Sequence, residues 1–334
     1  MTVREETELW EKERLSPFAS KSAESAGRER PVSPDDLRTE YQRDRDRILH
    51  SKSFRRLKFK TQVFIAPEGD HFRTRLTHTL EVQQVARTIA RALRLNEDLT
   101  EAIGLGHDLG HTPFGHAGET VMRQCYSPDF SHNMQGVRVV EKLENNGKGL
   151  NLTAEVRDGI AHHSGPVAPK TLEGAVIRFA DRIAYINHDI DDALRAGILR
   201  QDELPLPLCN ILGHTHGARI NTMVASVVRA STDKPEISME PDILEATERL
   251  RDFLFARVYR DNIAKDEEVK AKEMLAQLFT YFESHPDMLP IGYLEIVSKE
   301  SVGRAVCDYL SGMTDRFAIE LYRGLFIPEV WRVK

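Results

Sequence analysis

Apolar residues recur along this chain at helical spacing, and few stretches alternate with the two-residue period of a strand. Val82, Val85, Ile89 and Leu93 form one stripe, and His78 sits on the same line one turn before Val82. Val176, Phe179, Ile183 and Ile190 form another; Asp181, Tyr185 and Asp189 fall at successive intervals of four on one face of that helix. Leu37, Tyr41 and Ile48 mark a helix beginning at Asp35, and Val137, Val140 and Leu143 mark one after Gln135. A further helix runs from Thr153 to the pair His162-His163, and residues 241–262, 266–284 and 299–326 read as helices. The expected fold class is all-α. Residues 1–34 have little apolar periodicity and are expected as an extended arm, ordered only against another part of the protein. Residues 35–230 are expected as the helical core, and residues 231–334 as a C-terminal helical region packing on it.

The stretch Gly104-Leu-Gly-His-Asp-Leu-Gly-His-Thr-Pro-Phe-Gly-His-Ala-Gly-Glu119 departs from this pattern. A helix from Glu97 should end near His107-Asp108, a loop should follow through Gly110, Pro113 and Gly115, and a second helix should start near Ala117. Adjacent His107 and Asp108 at a helix end can both face one first-row metal ion. A lone His-Asp pair is more often a surface dipeptide, but His111, His116 and Glu119 lie just beyond, a concentration typical of metal and acid–base sites. An acid among the apolar neighbours of Asp181 is costly unless it meets a cation.

Upstream, Arg55, Arg56, Lys58 and Lys60 are unbalanced by any acid, and a polar loop through Pro67 and Gly69 leads to Arg73, Arg75 and His78. Cations gathered just before a candidate ligand suit a phosphate chain. Arg43, Arg45 and Arg47 alternate with Asp44 and Asp46, which reads as a solvated, salt-bridged face. His188, Asp191 and Asp192 are expected to face outward, and His214 and His216 to lie in a loop. Nothing in the residues chooses between His162 and His163 for a pocket role.

Composition narrows the class. The chain has 334 residues, 40% of them hydrophobic and 29% charged, with a net charge of −6. A general nucleic-acid coat is excluded, so positive charge for a polyphosphate must be local. No apolar run approaches membrane-spanning length and the first residues are acidic, so no membrane is expected. Cys125, Cys209 and Cys307 are scattered without metal or disulfide spacing, which fits a reduced, cytoplasmic compartment.

His78, His107-Asp108 and Asp181 together resemble the H…HD…D signature of the HD-domain metal-dependent phosphohydrolases, and HDLGHTPFGHAGE resembles the deoxynucleoside triphosphate triphosphohydrolases within them. ADRIAYINHDIDDA is especially similar to bacterial dGTPase-like proteins, and the resemblance runs from Ser33 to about Phe326. It implies an HD-type helical core and a divalent metal (Mn, Fe, Mg, Co, Ni or Zn) held by His78, His107, Asp108 and Asp181. It implies that His116 and Glu119 form a catalytic pair, with His111 and His132 stabilising charge on the phosphates. It makes Gln62 the reader of the sugar 3′-hydroxyl, Arg75 and Arg182 cationic contacts to substrate, and Tyr185 and Asp189 the holders of the deoxyribose.

The reaction so implied is hydrolysis of a deoxynucleoside triphosphate to deoxynucleoside and inorganic triphosphate, the metal polarising a phosphoryl oxygen and activating water. Two other readings share residues with it. Another HD phosphohydrolase, acting on a cyclic nucleotide, a guanosine polyphosphate or a nucleoside monophosphate, would use the same metal set without requiring Gln62, Tyr185 and Asp189. A nucleotide- or nucleic-acid-binding regulator would use the basic 55–75 region. The resemblance also implies a homo-oligomer (tetramer or hexamer), and it leaves room for a nucleotide effector and for single-stranded DNA. The string Ser311-Gly-Met-Thr-Asp-Arg-Phe317 belongs to the resemblance too, with no role readable from it.

Overall fold

The computed structural model describes residues 1–62, 72–259 and 264–328. Many of its helices begin at a side chain that accepts a hydrogen bond from the helix's own first turn, among them Thr74 from Thr77, Asn96 from Leu99 at 3.1 Å, and Thr171 from Gly174 at 3.1 Å. These start α4 (Arg75–Ala92), α5 (Glu97–Gly106) and α9 (Leu172–Arg195). Before them come α1 (Val3–Arg14), α2 (Glu40–Leu49) and α3 (Lys52–Arg56). Between them lie α6 (His116–Cys125), α7 (His132–Arg138) and α8 (Ala154–His162). The chain then runs through α10 (Leu206–Leu212), α11 (His216–Ser231), α12 (Pro241–Leu254), α13 (Ala264–Ser284), α14 (Ile291–Lys299), α15 (Val302–Ser311) and α16 (Asp315–Phe326). No strand occurs among the described residues, so the fold is all-α as expected. The loop expected through Pro67 and Gly69 lies outside the described residues.

Two apolar clusters hold these helices. In the larger one, α9 packs on α4, α5 and α8, and α2 packs on α5. Ile48, Val82, Ile89, Ile103, Ile160, Ile177 and Ile183 are buried there, and Ile243, Leu250 and Leu254 of α12 join them. The second cluster gathers Val121 and Met122 of α6 with Leu275, Phe279, Val306, Leu310 and Ala318 of α13, α15 and α16. The histidine-bearing segment between α5 and α6 therefore bridges two cores, with one end anchored in each.

Where the elements differ from expectation, the reason is local. The arm contains the helix α1, which has no broad apolar stripe; it is started by a capping box in which Thr2 and Glu5 bond reciprocally. Beyond α1 the arm lies on the core through polar bonds. Ser20 reaches Glu173 at 3.0 Å, and Arg28 reaches the Asn151 carbonyl at 2.7 Å and Glu40 at 2.6 Å. Arg28 is also paired with Asp44, whose other oxygen accepts the Thr153 N–H at 2.8 Å. Asp44 is thus fully buried rather than part of a solvated face, and Arg47 donates to the Leu150 and Asn151 carbonyls at 2.7 Å. The 299–326 stretch breaks into α15 and α16 at Gly312–Thr314, and α14 was not visible as a separate element.

The Arg28–Asp44 pair gives a stability test. Arg28→Ala leaves a carboxylate buried without its cation, and should lower unfolding free energy by about 3–5 kcal/mol. Denaturant titration checks this; a loss within the surface-pair range of about 0–1 kcal/mol contradicts it.

Candidate metal centre and its histidine wall

Three elements deliver one donor atom each to the same point. His78 lies in the first turn of α4, His107 caps the end of α5, and Asp181 sits mid-way along α9. One ligand atom from each lies within 4.8 Å of the other two. His78 Nε2 is 3.1 Å from Asp181 Oδ1. His107 donates Nδ1–H to the Gly104 carbonyl at 2.7 Å, which leaves the lone pair on Nε2; that atom is buried and has no hydrogen-bond partner among the described residues. A backbone carbonyl fixing the tautomer of a ligating imidazole is the usual support of a metal site. Asp181 keeps 24% of its side chain accessible, so the centre opens towards solvent. Burial pushes the Asp181 carboxyl up, but the bond to His78 and the charges of His107 and His78 carry it down to about 2. Two imidazoles and a carboxylate of this kind suit a divalent first-row ion.

Asp108 stands beside this triad. Its Oδ1 is 3.4 Å from His107 Nε2 and 3.1 Å from His111 Nε2, while Oδ2 accepts from Arg75 Nη1 at 3.1 Å. Burial works against its charge; His111, His107 and Arg75 outweigh that and hold the carboxyl well below its ordinary range. The arginine that the family resemblance assigns to substrate is, within the chain, the cation facing Asp108.

A second group lies next to the first. His111, Glu119 and His132 also bring one ligand atom each within 4.8 Å of one another. The rings of His111 and His132 stack with centroids 4.0 Å apart and 16° between planes. Glu119 Oε2 is 3.2 Å from His132 Nδ1 and 3.8 Å from His116 Nδ1, and Oε1 accepts from Arg123 at 2.7 Å. Burial opposes the Glu119 charge, yet His116, His132 and His111 hold it far below the usual carboxylate range. Glu119 is therefore closer to His132 than to the His116 it was paired with by resemblance, and the His116 side chain is 81% exposed.

The bonding pattern fixes the neighbouring rings. His163 donates Nδ1–H to the Ile160 carbonyl at 2.8 Å, so its Nε2 presents a lone pair to His132 Nε2 at 3.2 Å. His132 thus lies between the two, with Nε2 facing His163 at 3.2 Å and Nδ1 facing Glu119 at 3.2 Å. Burial, with His107 and His132 nearby, pushes the His163 imidazole down to about 3, consistent with a neutral acceptor. The structure so separates the pair that sequence left open: His163 joins the wall, while His162 Nδ1 faces Asp158 one turn back at 3.0 Å.

The residues assigned to substrate are spread around this centre. Gln62 Oε1 is buried without a hydrogen-bond partner among the described residues. Tyr185 packs half-buried on the larger core, and Asp189 is buried, its carboxyl pushed up to about 8 by loss of solvent. Arg182 lies near Glu248 at 3.7 Å and is partly exposed.

Three outward expectations are corrected. His188 is buried on the far side of His78, ring centroids 5.9 Å apart, and stacks on His216; the face of α9 that carries it is enclosed by α4 and α11. Asp192 is buried and Asp191 partly so, both paired with Arg73 at 2.8 and 2.9 Å. Arg73 is accordingly committed to acids rather than free for phosphate. His216 is the first residue of α11 and not a loop residue. Lys60, grouped in sequence with cations suited to a phosphate chain, is buried with Nζ donating to the His111 and Ser311 carbonyls. Loss of solvent pushes its ammonium down to about 7.

Close backbone contacts set this geometry. A Cβ on Gly110 would fall 2.1 Å from Gly136 N and His132 O, so only glycine lets the loop touch α7. Phe114 and Gly115 both have positive φ, 58° and 55°. For a bulky residue such as Phe114 that is a strained conformation.

An HD domain family model matches residues 75–186, and a phosphohydrolase-associated domain model matches residues 237–324. The chain is 58% identical over 331 residues to a deoxyguanosinetriphosphate triphosphohydrolase-like protein of Caldanaerobacter subterraneus, covering 99% of this chain and 98% of that one. Proteins of the same description from Desulfatibacillum aliphaticivorans and Clostridium tetani are 49% and 46% identical over 98% and 99% of this chain, and 99% and 98% of their own lengths are covered.

Metal content tests the first group directly. His107→Ala and Asp181→Ala should each lose most of the divalent metal that the wild-type protein retains through gel filtration, because each removes one of few protein donors. Elemental analysis reads the result; full occupancy in either variant removes that residue from the set.

Proposed function

The chain belongs to the HD-domain deoxyguanosinetriphosphate triphosphohydrolase-like family, and on that premise we propose that the metal-capable triad and the histidine wall together carry out a dNTP triphosphohydrolase reaction. The protein is a phosphohydrolase, and its substrate is a nucleotide. The observation that supports the assignment of roles best is the sharing of Asp108 between His107 and His111. That carboxylate joins the triad His78, His107 and Asp181 to His111, His132 and Glu119 in one continuous surface, so a group held at one is presented to the other.

His78, His107, Asp108 and Asp181 would hold a divalent cation, which would supply polarisation of a phosphoryl oxygen and activation of water. His132 stabilises charge on the phosphates and is held in orientation by Glu119 and His163, which face its two ring nitrogens. His111 stacks on it and turns its other edge to Asp108. His116, exposed and within reach of Glu119, is the mobile member, suited to exchange a proton with the leaving 5′-oxygen. Gln62 offers an unpartnered buried carbonyl oxygen to a sugar hydroxyl, and Tyr185 and Asp189 flank the deoxyribose. Arg75 and Arg182 supply further cations. The bond broken is the ester at the α-phosphorus; water adds there, and the products are deoxynucleoside and inorganic triphosphate.

The same reading extends to a homo-oligomer, a cytoplasmic setting and a metal drawn from Mn, Fe, Mg, Co, Ni or Zn. No helix among the described residues is long and apolar enough to cross a membrane.

Product identity separates this reaction from other HD phosphohydrolases. In a metal-supplemented screen of the four dNTPs, singly and mixed, the expected product is inorganic triphosphate; stepwise orthophosphate release would contradict the proposal. With matched bases the 2′-deoxy nucleotide should be hydrolysed faster than the ribonucleotide, and equal rates for dGTP and GTP would remove the sugar assignment from Gln62, Tyr185 and Asp189.

The acid in the histidine wall gives the second test. Glu119→Gln keeps size and packing but removes the charge facing His132 and His116, and turnover should fall by about a hundred- to ten-thousand-fold. Metal content and melting temperature should stay close to wild type. A melting temperature well below wild type with near-normal turnover assigns Glu119 a structural role instead.

A further inference from the structure

We propose that Asp315 is a positioning residue that sets Gln62 against the histidine loop, so that the C-terminal region takes part in recognising the sugar; this rests on the reading of the activity given above. Asp315 opens α16 and is buried. Its Oδ2 accepts the Thr61 N–H at 2.9 Å and also the Thr61 hydroxyl. Its Oδ1 accepts the Phe114 N–H at 2.9 Å. One carboxylate thus receives donors from two segments far apart in sequence, the one that carries Thr61 and Gln62 and the one running from His107 to His116.

The neighbouring bonds go to the same two segments. The Ser311 carbonyl accepts from Lys60 Nζ at 2.9 Å, and the same ammonium donates to the His111 carbonyl. The Gly312 carbonyl accepts from Arg56 at 3.0 Å. Thr314 is occupied as the cap of α16, accepting from Phe317 at 3.2 Å. The two clamped segments also abut: the Gln62 carbonyl lies 3.6 Å from where a Gly115 Cβ would be.

The clamp acts at a strained point. Phe114 holds φ 58°, a conformation that a bulky residue keeps only when its surroundings impose it. The N–H that Asp315 accepts belongs to that residue, one step before Gly115 and two before His116. On the other side Asp315 holds Thr61, one step before Gln62. The Gln62 Oε1 is buried and unpartnered among the described residues, so no bond found there fixes that end of the side chain. Its place relative to the loop is therefore set by the backbone that Asp315 ties.

The test uses the full-length, metal-loaded protein. Asp315→Asn has the same shape but only one acceptor oxygen, and its amide nitrogen meets an N–H donor, so it cannot serve Thr61 and Phe114 together. The expected result is a rise in KM for the deoxynucleotide of about tenfold or more, from loss of a bond to a charged acceptor, with a smaller change in kcat and a lower deoxy-to-ribo preference. Metal content should hold. Because the effect passes through Gln62, the double variant with Gln62→Ala should be little worse in sugar preference than Gln62→Ala alone. Additive losses would mean that Asp315 only staples α16, and overturn the proposal.

A second measurement needs no turnover. Amide hydrogen exchange in residues 59–62 and 111–115 should speed up together in Asp315→Asn; unchanged protection in 111–115 also overturns the proposal. If Asp315→Asn does not fold, Thr61→Val removes the hydroxyl alone and should lower sugar preference and protection in the same direction, less steeply; no change in either overturns it. Wild-type protein that releases no triphosphate from any deoxynucleotide sinks the assigned activity, while the exchange result still judges the clamp.

Discussion

A charged carboxylate inside a helical core must meet a cation and hydrogen-bond donors, and this protein is arranged around meeting that demand at Asp108, where Arg75 brings the charge and the His111 ring a further donor. Loss of solvent works against its ionised form, and Arg75, His107 and His111 are brought from two helices and a loop to outweigh it. Because those partners are themselves the residues of the centre, satisfying one carboxylate fixes the relative places of α4, the end of α5 and the loop beyond. Asp181 repeats the arrangement from α9, with His78 as its partner. The result is a wall of imidazoles and acids whose members each serve a neighbour, so that single removals have consequences beyond the lost side chain.

The two apolar clusters give this wall its rigidity. The larger one carries His78, His107 and Asp181 on α4, α5 and α9; the smaller carries α6, and with it Glu119, on helices from the C-terminal region. Between them polar bonds add to the packing of Leu109 and Phe114 in holding the loop: Asp315 on Phe114 and Thr61, Lys60 on His111 and Ser311. A segment distant in sequence thereby determines how the second half of the centre sits against the first. Arg138 and Arg304, both bonded to the fully buried Asp308, strengthen the same seam next to α7.

The legible parts were those with a period or a motif. The stripes of α4 and α9 and the break after His107 appear where spacing placed them. His78, His107 and Asp181, which the H…HD…D resemblance grouped with Asp108, lie close enough to share one point. What stayed hidden depends on contact between elements. His188 looked outward because one helix has no knowledge of the helices that enclose it. The burial of Lys60 was hidden because its acceptors are carbonyl oxygens, which every residue has and no sequence pattern displays. His163 could not be told from His162 until the direction of the α8 terminus was known, and α1 was missed because capping and charge, not an apolar stripe, hold it.

The touch of Gly110 on α7 has a further consequence. Backbone atoms of Gly136 and His132 occupy the space where a side chain at position 110 would begin. His111 follows directly on one side of that contact and His132 belongs to the other, so the segments that carry the two stacked rings are held at backbone contact. That approach is hard on its inner side, because main chains do not compress. Any side chain at position 110 would therefore push apart the two segments from which the rings project.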